Sequence, residues 1–163
     1  MARAEPSIDE VLTRLGASPA RIAECSAGLA QPLAQANPAG SEWSANEVLA
    51  HLRACADVWG GCIATILAED GPTLRAVNPR AWVNQTDYFE LDFPTSLQSF
   101  ASQRAELLAT LAPLSLQAWS RSAVVIGAGA PLHRTVLFYA EWLARHERPH
   151  LKQLERAVSA TRA

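Results

Sequence analysis

Apolar residues recur at helical spacing in four long segments, which are separated by stretches rich in proline, glycine and polar residues. The first segment opens with Ser7-Ile8-Asp9-Glu10, a capping-box sequence, and predicts a helix from about residue 8 to the mid-thirties. Pro19 falls inside this helix, and because proline lacks the backbone N–H, it predicts a kink or a break. The stretch from Gln31-Pro32 to Pro38-Ala39-Gly40 is expected to end the helix.

A second helix start lies at Trp43-Ser44-Ala45-Asn46-Glu47. Ser44 and Glu47 form a capping box, and Trp43 can pack on Val48 as a hydrophobic staple. The following positions, spaced alternately by four and three, predict one core-facing stripe: Val48, Leu52, Cys55, Trp59, Cys62 and Ile66. This helix should end near Asp70-Gly71-Pro72, a sequence typical of a helix C-terminus.

The second half of the chain predicts two more helices. Residues from about 72 to 93 indicate a long crossover with a short helix near Trp82. Thr95 and Gln98 are expected to open the third helix, which runs to Pro113, and residues 122–131 predict a loop with a small extended piece. The fourth helix begins near residues 133–135 and continues toward the C-terminus. The fold class is therefore all-α, a four-helix bundle with a long crossover between helices two and three, and residues 1–163 form a single domain.

Composition and charge exclude several classes of protein. A chain of 163 residues can bury one hydrophobic core but is short for two domains. Fourteen basic and sixteen acidic residues, without a basic run, give no electrostatic basis for binding nucleic acid or an anionic membrane. The N-terminus is polar where a signal peptide needs an apolar core, and three cysteines cannot all pair within the chain. A cytoplasmic protein is expected.

Three histidines are the candidate chemistry of the chain. His146 and His150 are four residues apart, so they share one face of the fourth helix and can reach one metal ion. His51 lies on the inner side of the second helix, near its beginning. If the second and fourth helices are antiparallel, all three imidazoles meet. They would then bind one divalent metal, Zn²⁺, Ni²⁺ or Fe²⁺, and leave a coordination position open for substrate or water.

The segment His146-Glu147-Arg148-Pro149-His150 also fits the H-E-x-x-H pattern of metalloproteases, in which the glutamate is the general base. Only thirteen residues follow His150 and none is a histidine, so the third ligand of such enzymes is missing downstream. Pro149 also disturbs the helix that this geometry needs. Glu147 remains a candidate catalytic base, with a solvated helix glutamate as the alternative.

The remaining polar residues have simpler interpretations. His133 is expected to be structural, because it lies at the start of the fourth helix. Cys55 could bind metal or react, although a buried cysteine on a core stripe more often fills space. Arg145 and Arg148 could receive an anionic substrate or could face solvent.

The sequences WSANEVLAHL and HRTVLFYAEWLARHERPHLKQLE resemble the DinB-like superfamily of bacterial four-helix bundles, over about residues 8 to 157. The family motifs are a histidine early in helix two and H-x-x-x-H late in helix four, and they fall on His51, His146 and His150. The resemblance implies a divalent metal, commonly zinc or nickel, and often a homodimer. Some relatives are thiol-dependent S-transferases or isomerases, and Pro149 departs from the family pattern.

Three hypotheses follow. The first is a metal-dependent enzyme that joins a low-molecular-weight thiol to a small electrophile, since a metal-bound thiol loses its proton and becomes reactive. The second is a metal-dependent hydrolase with an activated water and Glu147 or Glu47 as proton acceptor. The third is a non-catalytic metal-binding or dimerising bundle. A pocket beside the metal, lined by residues 122–131, would favour an enzyme.

Overall fold

Seven α-helices and three short strands form the regular structure of residues 5–38 and 42–162, which are the residues described by this computed structural model. The helices are α1 (Ile8–Cys25), α2 (Gln31–Ala34), α3 (Ala45–Ala68), α4 (Pro79–Trp82), α5 (Phe93–Leu111), α6 (Leu116–Trp119) and α7 (Val136–Thr161). The strands are β1 (Thr73–Arg75), β2 (Ser122–Ile126) and β3 (Leu132–Thr135). The four long helices α1, α3, α5 and α7 form the bundle that the sequence predicts.

Both predicted capping boxes are present at helix starts. The Ser7 hydroxyl accepts from the Glu10 N–H at 3.2 Å, and the Glu10 carboxylate accepts from the Ser7 N–H at 2.8 Å. Ser44 and Glu47 make the same reciprocal pair at 3.1 and 2.7 Å. These bonds satisfy amide groups that the first turn of a helix leaves without a partner, so α1 and α3 begin where the sequence places them.

The predicted end of the first helix is wrong. Helix α1 ends at Cys25, and the chain turns at Gly28, whose φ of +74° is accessible to glycine without strain. The short helix α2 then occupies part of the segment that was expected to continue α1, and Ala39 and Gly40 lie outside the described residues. Pro19 is accommodated inside α1, which continues past it.

Helix α5 starts two residues earlier than Thr95. Asp92 is its N-cap, and the Asp92 carboxylate accepts from the backbone N–H of Thr95 at 3.2 Å and from its hydroxyl at 2.6 Å. Thr95 therefore lies in the first turn of α5, where it donates hydrogen bonds to the capping residue Asp92.

Contacts between the long helices define their directions. Trp43 faces His150 while Trp59 faces Trp142, so α3 and α7 run antiparallel. The α3 residues Arg53 and Asp57 hydrogen-bond to Ser96 and Gln103 of α5, in the same order along both helices, so α3 and α5 run parallel. A helix of 24 residues is about 36 Å long, and the chain must return over that length before α5 can begin. The long crossover is the consequence.

The crossover rests on α3. Its helix α4 and the following 3₁₀ turn, Val83–Gln85, confirm the short helix predicted near Trp82. The Asp57 carboxylate accepts from the indole N–H of Trp82 at 3.1 Å and from the hydroxyl of Tyr88 at 2.6 Å. Val83 is buried against Ala50 and Ala54 of α3. These contacts place α4 beside the first half of α3.

A small three-stranded sheet was not predicted. Strand β2 pairs in parallel with β1 of the crossover and antiparallel with β3. Residues 122–126 of the predicted loop are therefore a strand, which is the extended piece expected there. Gly127 and Gly129, with φ of +92° and +85°, follow β2 in the connection to β3.

Helix α7 runs from Val136 to Thr161 with Pro149 inside it, so the helix continues beyond the proline, where the sequence predicts a kink after which the helix resumes. Pro149 and Arg145 are both exposed, so water can reach the Arg145 carbonyl that has lost its hydrogen-bond donor. Within residues 5–38 and 42–162, no helix has the length and apolar character needed to cross a bilayer.

Candidate metal centre

Three histidines meet at the interface between α3 and α7. His51 is 5% exposed, and its Nε2 atom lies 3.2 Å from Nε2 of His146. The imidazole centre of His150 lies 4.6 Å from those of His51 and His146. The antiparallel arrangement of α3 and α7 therefore brings His51 close to His146, which is 95 positions later in the sequence, and to His150.

Aromatic rings surround the histidines. Trp59 meets His146 edge to face with ring centres 5.0 Å apart, and Trp142 stacks on the same imidazole at 6.1 Å. Trp43 stacks on His150 at 6.1 Å. These indoles exclude water from the sides of the cluster and restrict the imidazole orientations.

Burial keeps the imidazoles neutral. Burial, together with the nearby His150, His146 and Arg80, lowers the pKa of His51 to about 4. Burial also lowers the pKa of His146 to about 4, assisted by His150 and Arg80, and burial lowers the pKa of His150 as well. A neutral imidazole retains the lone pair that binds a metal, so the electrostatics suit a ligand role.

Hydrogen bonds distinguish the two nitrogens of His150. Its Nδ1 atom lies 2.9 Å from Oε1 of Gln153, and because this oxygen can only accept, Nδ1 carries the proton. Nε2 of His150 is then the atom with a free lone pair, as in metal sites where the second nitrogen is held by a hydrogen bond. The Nδ1 atom of His51 is buried without a hydrogen-bond partner among the described residues.

Cys55 also reaches the cluster. Its Sγ atom lies 3.5 Å from Nε2 of His51, one helical turn away, and His51, Cys55 and His146 place one donor atom each within 4.8 Å of one another. Burial, assisted by the Glu147 carboxylate, raises the pKa of the Cys55 thiol to about 12. The four-residue spacing from His51 was the signal for this contact in the sequence.

The donor set fits a divalent metal. Two nitrogens bound to one tetrahedral zinc at about 2.0–2.1 Å would be about 3.3 Å apart, close to the separation of 3.2 Å between His51 and His146. A thiolate at about 2.3 Å would be about 3.6 Å from such a nitrogen, close to the separation of 3.5 Å between Cys55 and His51. His51, Cys55 and His146 therefore have donor separations that suit zinc, nickel or another metal that accepts imidazole ligands, and the ring of His150 lies beside them.

Glu147 does not face the histidines. Its side chain is 1% exposed and forms a buried ion pair with Arg104, while Ser18 donates its hydroxyl to the same carboxylate at 2.8 Å. Arg104 also donates to the Leu15 carbonyl at 2.9 Å. Both oxygens of Glu147 are engaged, so the geometry gives a structural role to the residue predicted as a catalytic base.

A pocket of about 120 Å³ opens beside His51. Its walls include Trp43 and Glu47 of the α3 start and Arg80 and Val83 of the crossover. The segment 122–131, whose presence in the pocket wall would have favoured an enzyme, contributes no residue to it, and residues 122–126 instead form β2 of the sheet. The crossover therefore forms the approach to the histidines.

A larger cavity, of about 740 Å³, lies between α1 and α7. Arg145 and Arg148 line it, both exposed, and none of the three clustered histidines does. His133 is exposed on β3 and does not join the cluster. The two arginines and His133 are thus separate from the candidate metal centre.

Comparisons with known proteins agree with this architecture. Residues 14–154 match the DinB superfamily. YfiT from Bacillus subtilis, described as a probable metal-dependent hydrolase with an unusual four-helix bundle topology, is similar in structure with a TM-score of 0.79 at 18% sequence identity. The similarity covers 96% of this chain and 90% of YfiT, and at that identity it shows a shared fold. No curated protein sequence matches the chain. With a family match over most of its length, the chain belongs to the DinB superfamily.

Proposed function

We propose that the protein is a divalent-metal-dependent enzyme in which His51, His146 and His150 hold one metal ion. The observation that carries this proposal is the convergence of three neutral imidazoles, with the Nε2 atoms of His51 and His146 3.2 Å apart. Three protein ligands are typical of catalytic sites, because they leave a position for substrate. The pocket beside His51 supplies a route to that position.

The proposed reaction joins a low-molecular-weight thiol to a small electrophile. A bound divalent metal would supply a thiolate by lowering the pKa of the thiol that reaches it. The chain itself restricts water with Trp43, Trp59 and Trp142 and keeps the three imidazoles in their neutral form. Glu147 is paired with Arg104 and is not available as a base, and conjugation by a metal-bound thiolate would need no protein carboxylate as base.

Hydrolysis is the second candidate, and the position of Glu47 favours it. Glu47 lines the same pocket as His51, and its Oε2 atom accepts from the Ser44 N–H and from the Asn37 side chain. Oε1 remains available to take a proton from water. The description of YfiT as a probable metal-dependent hydrolase supports the same reaction class.

A non-catalytic metal site is the third candidate. It is distinguished from a catalytic site by whether Cys55 binds the metal. If Cys55 joins the three histidines, four protein ligands close the site, as in structural zinc centres. Loading the protein with cobalt(II) would reveal a thiolate ligand by its intense near-ultraviolet absorption. Our proposal expects this band to appear only after a thiol such as mercaptoethanol is added. A band present beforehand and lost in Cys55→Ser, but retained in the control Cys62→Ser, would favour the structural site.

The reaction is tested with metal-loaded protein and two substrates, a chromogenic aryl halide with added thiol and a chromogenic ester. The proposal expects thiol conjugation that His51→Ala abolishes and Glu47→Gln leaves largely intact. Ester hydrolysis that depends on metal and falls in Glu47→Gln, without any thiol conjugation, would favour the hydrolase instead. His133→Ala is the matched control, since His133 lies outside the cluster.

A further inference from the structure

Arg80 stands at the pocket beside the histidines. It belongs to α4, lines the pocket together with His51, and has its guanidinium carbon 5.0 Å from the ring centre of Trp43. Trp43 in turn contacts His51 at 5.2 Å between ring centres. The indole of Trp43 therefore lies between the Arg80 guanidinium and the ring of His51.

The chain holds α4 in this place but leaves the charge of Arg80 without a counterion. Asp57 fixes the neighbouring Trp82 through its indole N–H, and Val83 is buried against α3. No carboxylate among residues 5–38 and 42–162 forms an ion pair with Arg80. Glu47 lines the same pocket with Oε2 held by Ser44 and Asn37 and Oε1 free, but neither oxygen lies within 4 Å of the Arg80 guanidinium nitrogens.

The rest of the pocket wall is mainly apolar, with Trp43, Val83 and Phe89. A ligand that fits it would place apolar atoms against these side chains and an anionic group against the guanidinium. Arginine binds carboxylates through a planar pair of N–H donors, and such charge-assisted bonds are stronger than neutral ones. Arg80 is exposed and stacked on Trp43, so a measured preference for anions is what distinguishes a substrate-binding role from stacking alone.

We infer that Arg80 is a specificity-determining residue that selects small substrates carrying a carboxylate. This inference rests on the proposed function, because it assigns the substrate class of the same site. The carboxylate lies toward Arg80, and the reacting end of the substrate lies toward His51 and His146. Neutral substrates of the same shape then bind more weakly.

The test uses benzoate and its neutral analogue benzamide as probes, with metal-free protein and ligand-detected NMR. Wild-type protein should prefer benzoate by about tenfold, the effect of one charge-assisted hydrogen-bond pair. Arg80→Met should remove the preference and Arg80→Lys should retain part of it. Arg14→Met, which removes an exposed arginine from the cavity between α1 and α7, is the matched control and should keep it.

Equal binding of the two probes to the wild-type protein, or an undiminished preference in Arg80→Met, would overturn the inference. Loss of the preference in Arg14→Met as well would assign the anion binding to the other cavity and overturn it too. Because this assay contains no metal, it can fail or succeed independently of the proposed function. Cobalt(II) uptake by Arg80→Met, measured separately and expected to equal that of the wild type, reports on the histidine site alone.

Discussion

His146 and Glu147 are neighbours in sequence, yet their side chains occupy different parts of the bundle. Successive residues of a helix are rotated by about 100°, so His146 faces α3 while Glu147 faces the interior toward α1 and α5. There Glu147 meets Arg104 and Ser18. The H-E-x-x-H pattern therefore combines a pair of candidate metal ligands with a residue of the core.

Replacing Glu147 with Gln should destabilise the protein without removing the metal site. The substitution leaves the buried guanidinium of Arg104 without a counterion, which typically lowers the free energy of unfolding by about 3–5 kcal/mol. Denaturant unfolding measures the loss, and metal analysis of the folded protein should show wild-type occupancy. The double variant Arg104→Met/Glu147→Leu should recover much of the stability. Unchanged stability with lost activity would instead support the catalytic role that the sequence suggested for Glu147.

The residues that sequence reasoning missed are those that reach the site through space. Arg80 comes from the crossover, and neither its position beside Trp43 nor the pairing of Arg104 with Glu147 has a periodic signal. The contact between Cys55 and His51 could be anticipated from their four-residue spacing. His51, His146 and His150 could be placed because each lies on a helix whose inner face the apolar pattern identifies.

At the scale of elements, short sequence motifs predicted where helices begin more accurately than where helices end or where strands form. The capping boxes at Ser7 and Ser44 depend on side chains within one turn, so the sequence reveals them. The end of α1 depends on the backbone conformation at Gly28, and β1 forms only by pairing with β2, about fifty residues away. Such long-range pairing cannot be read from a short window of residues.

Helix α7 provides a test of how a proline is tolerated beside the candidate ligands. Pro149→Ala restores one backbone hydrogen bond to the Arg145 carbonyl, so we expect the free energy of unfolding to rise, by up to about 3 kcal/mol. Metal occupancy should not change, because the helix already continues through this position. Pro19→Ala in α1 is the matched control for a helix-interior proline far from the histidines. Reduced metal occupancy in Pro149→Ala alone would show that the proline sets the position of His150.

For the whole molecule, the histidine cluster predicts a pH dependence of stability. The pKa values of His51 and His146 are near 4 in the folded protein and near 6.5 in the unfolded chain. Between these values the unfolded state binds more protons, so stability falls as pH decreases from about 6.5 to about 4. Thermal unfolding of metal-free protein at several pH values measures the slope. His51→Ala should make it shallower, and an unchanged slope would contradict the assignment.

A homodimer remains a prediction that derives from the family resemblance. Five tryptophans in a small domain would favour association if they formed an exposed patch, but each of them is buried or half-buried. Leu116, which is 76% exposed, is the most exposed large apolar residue in the described part of the chain. Light scattering at micromolar concentration should give twice the chain mass of 17.6 kDa. A monomer mass across that range would remove the prediction.

The central claim is that His51, His146 and His150 hold one divalent metal. Elemental analysis of protein produced under metal-limited conditions tests it most directly, comparing wild type with His51→Ala, His146→Ala, His150→Ala and the control His133→Ala. We predict one metal per chain in the wild type and in His133→Ala, and strongly reduced occupancy in each of the other three. Full occupancy in His51→Ala would contradict the claim, because the metal would then not depend on the histidine that α3 contributes.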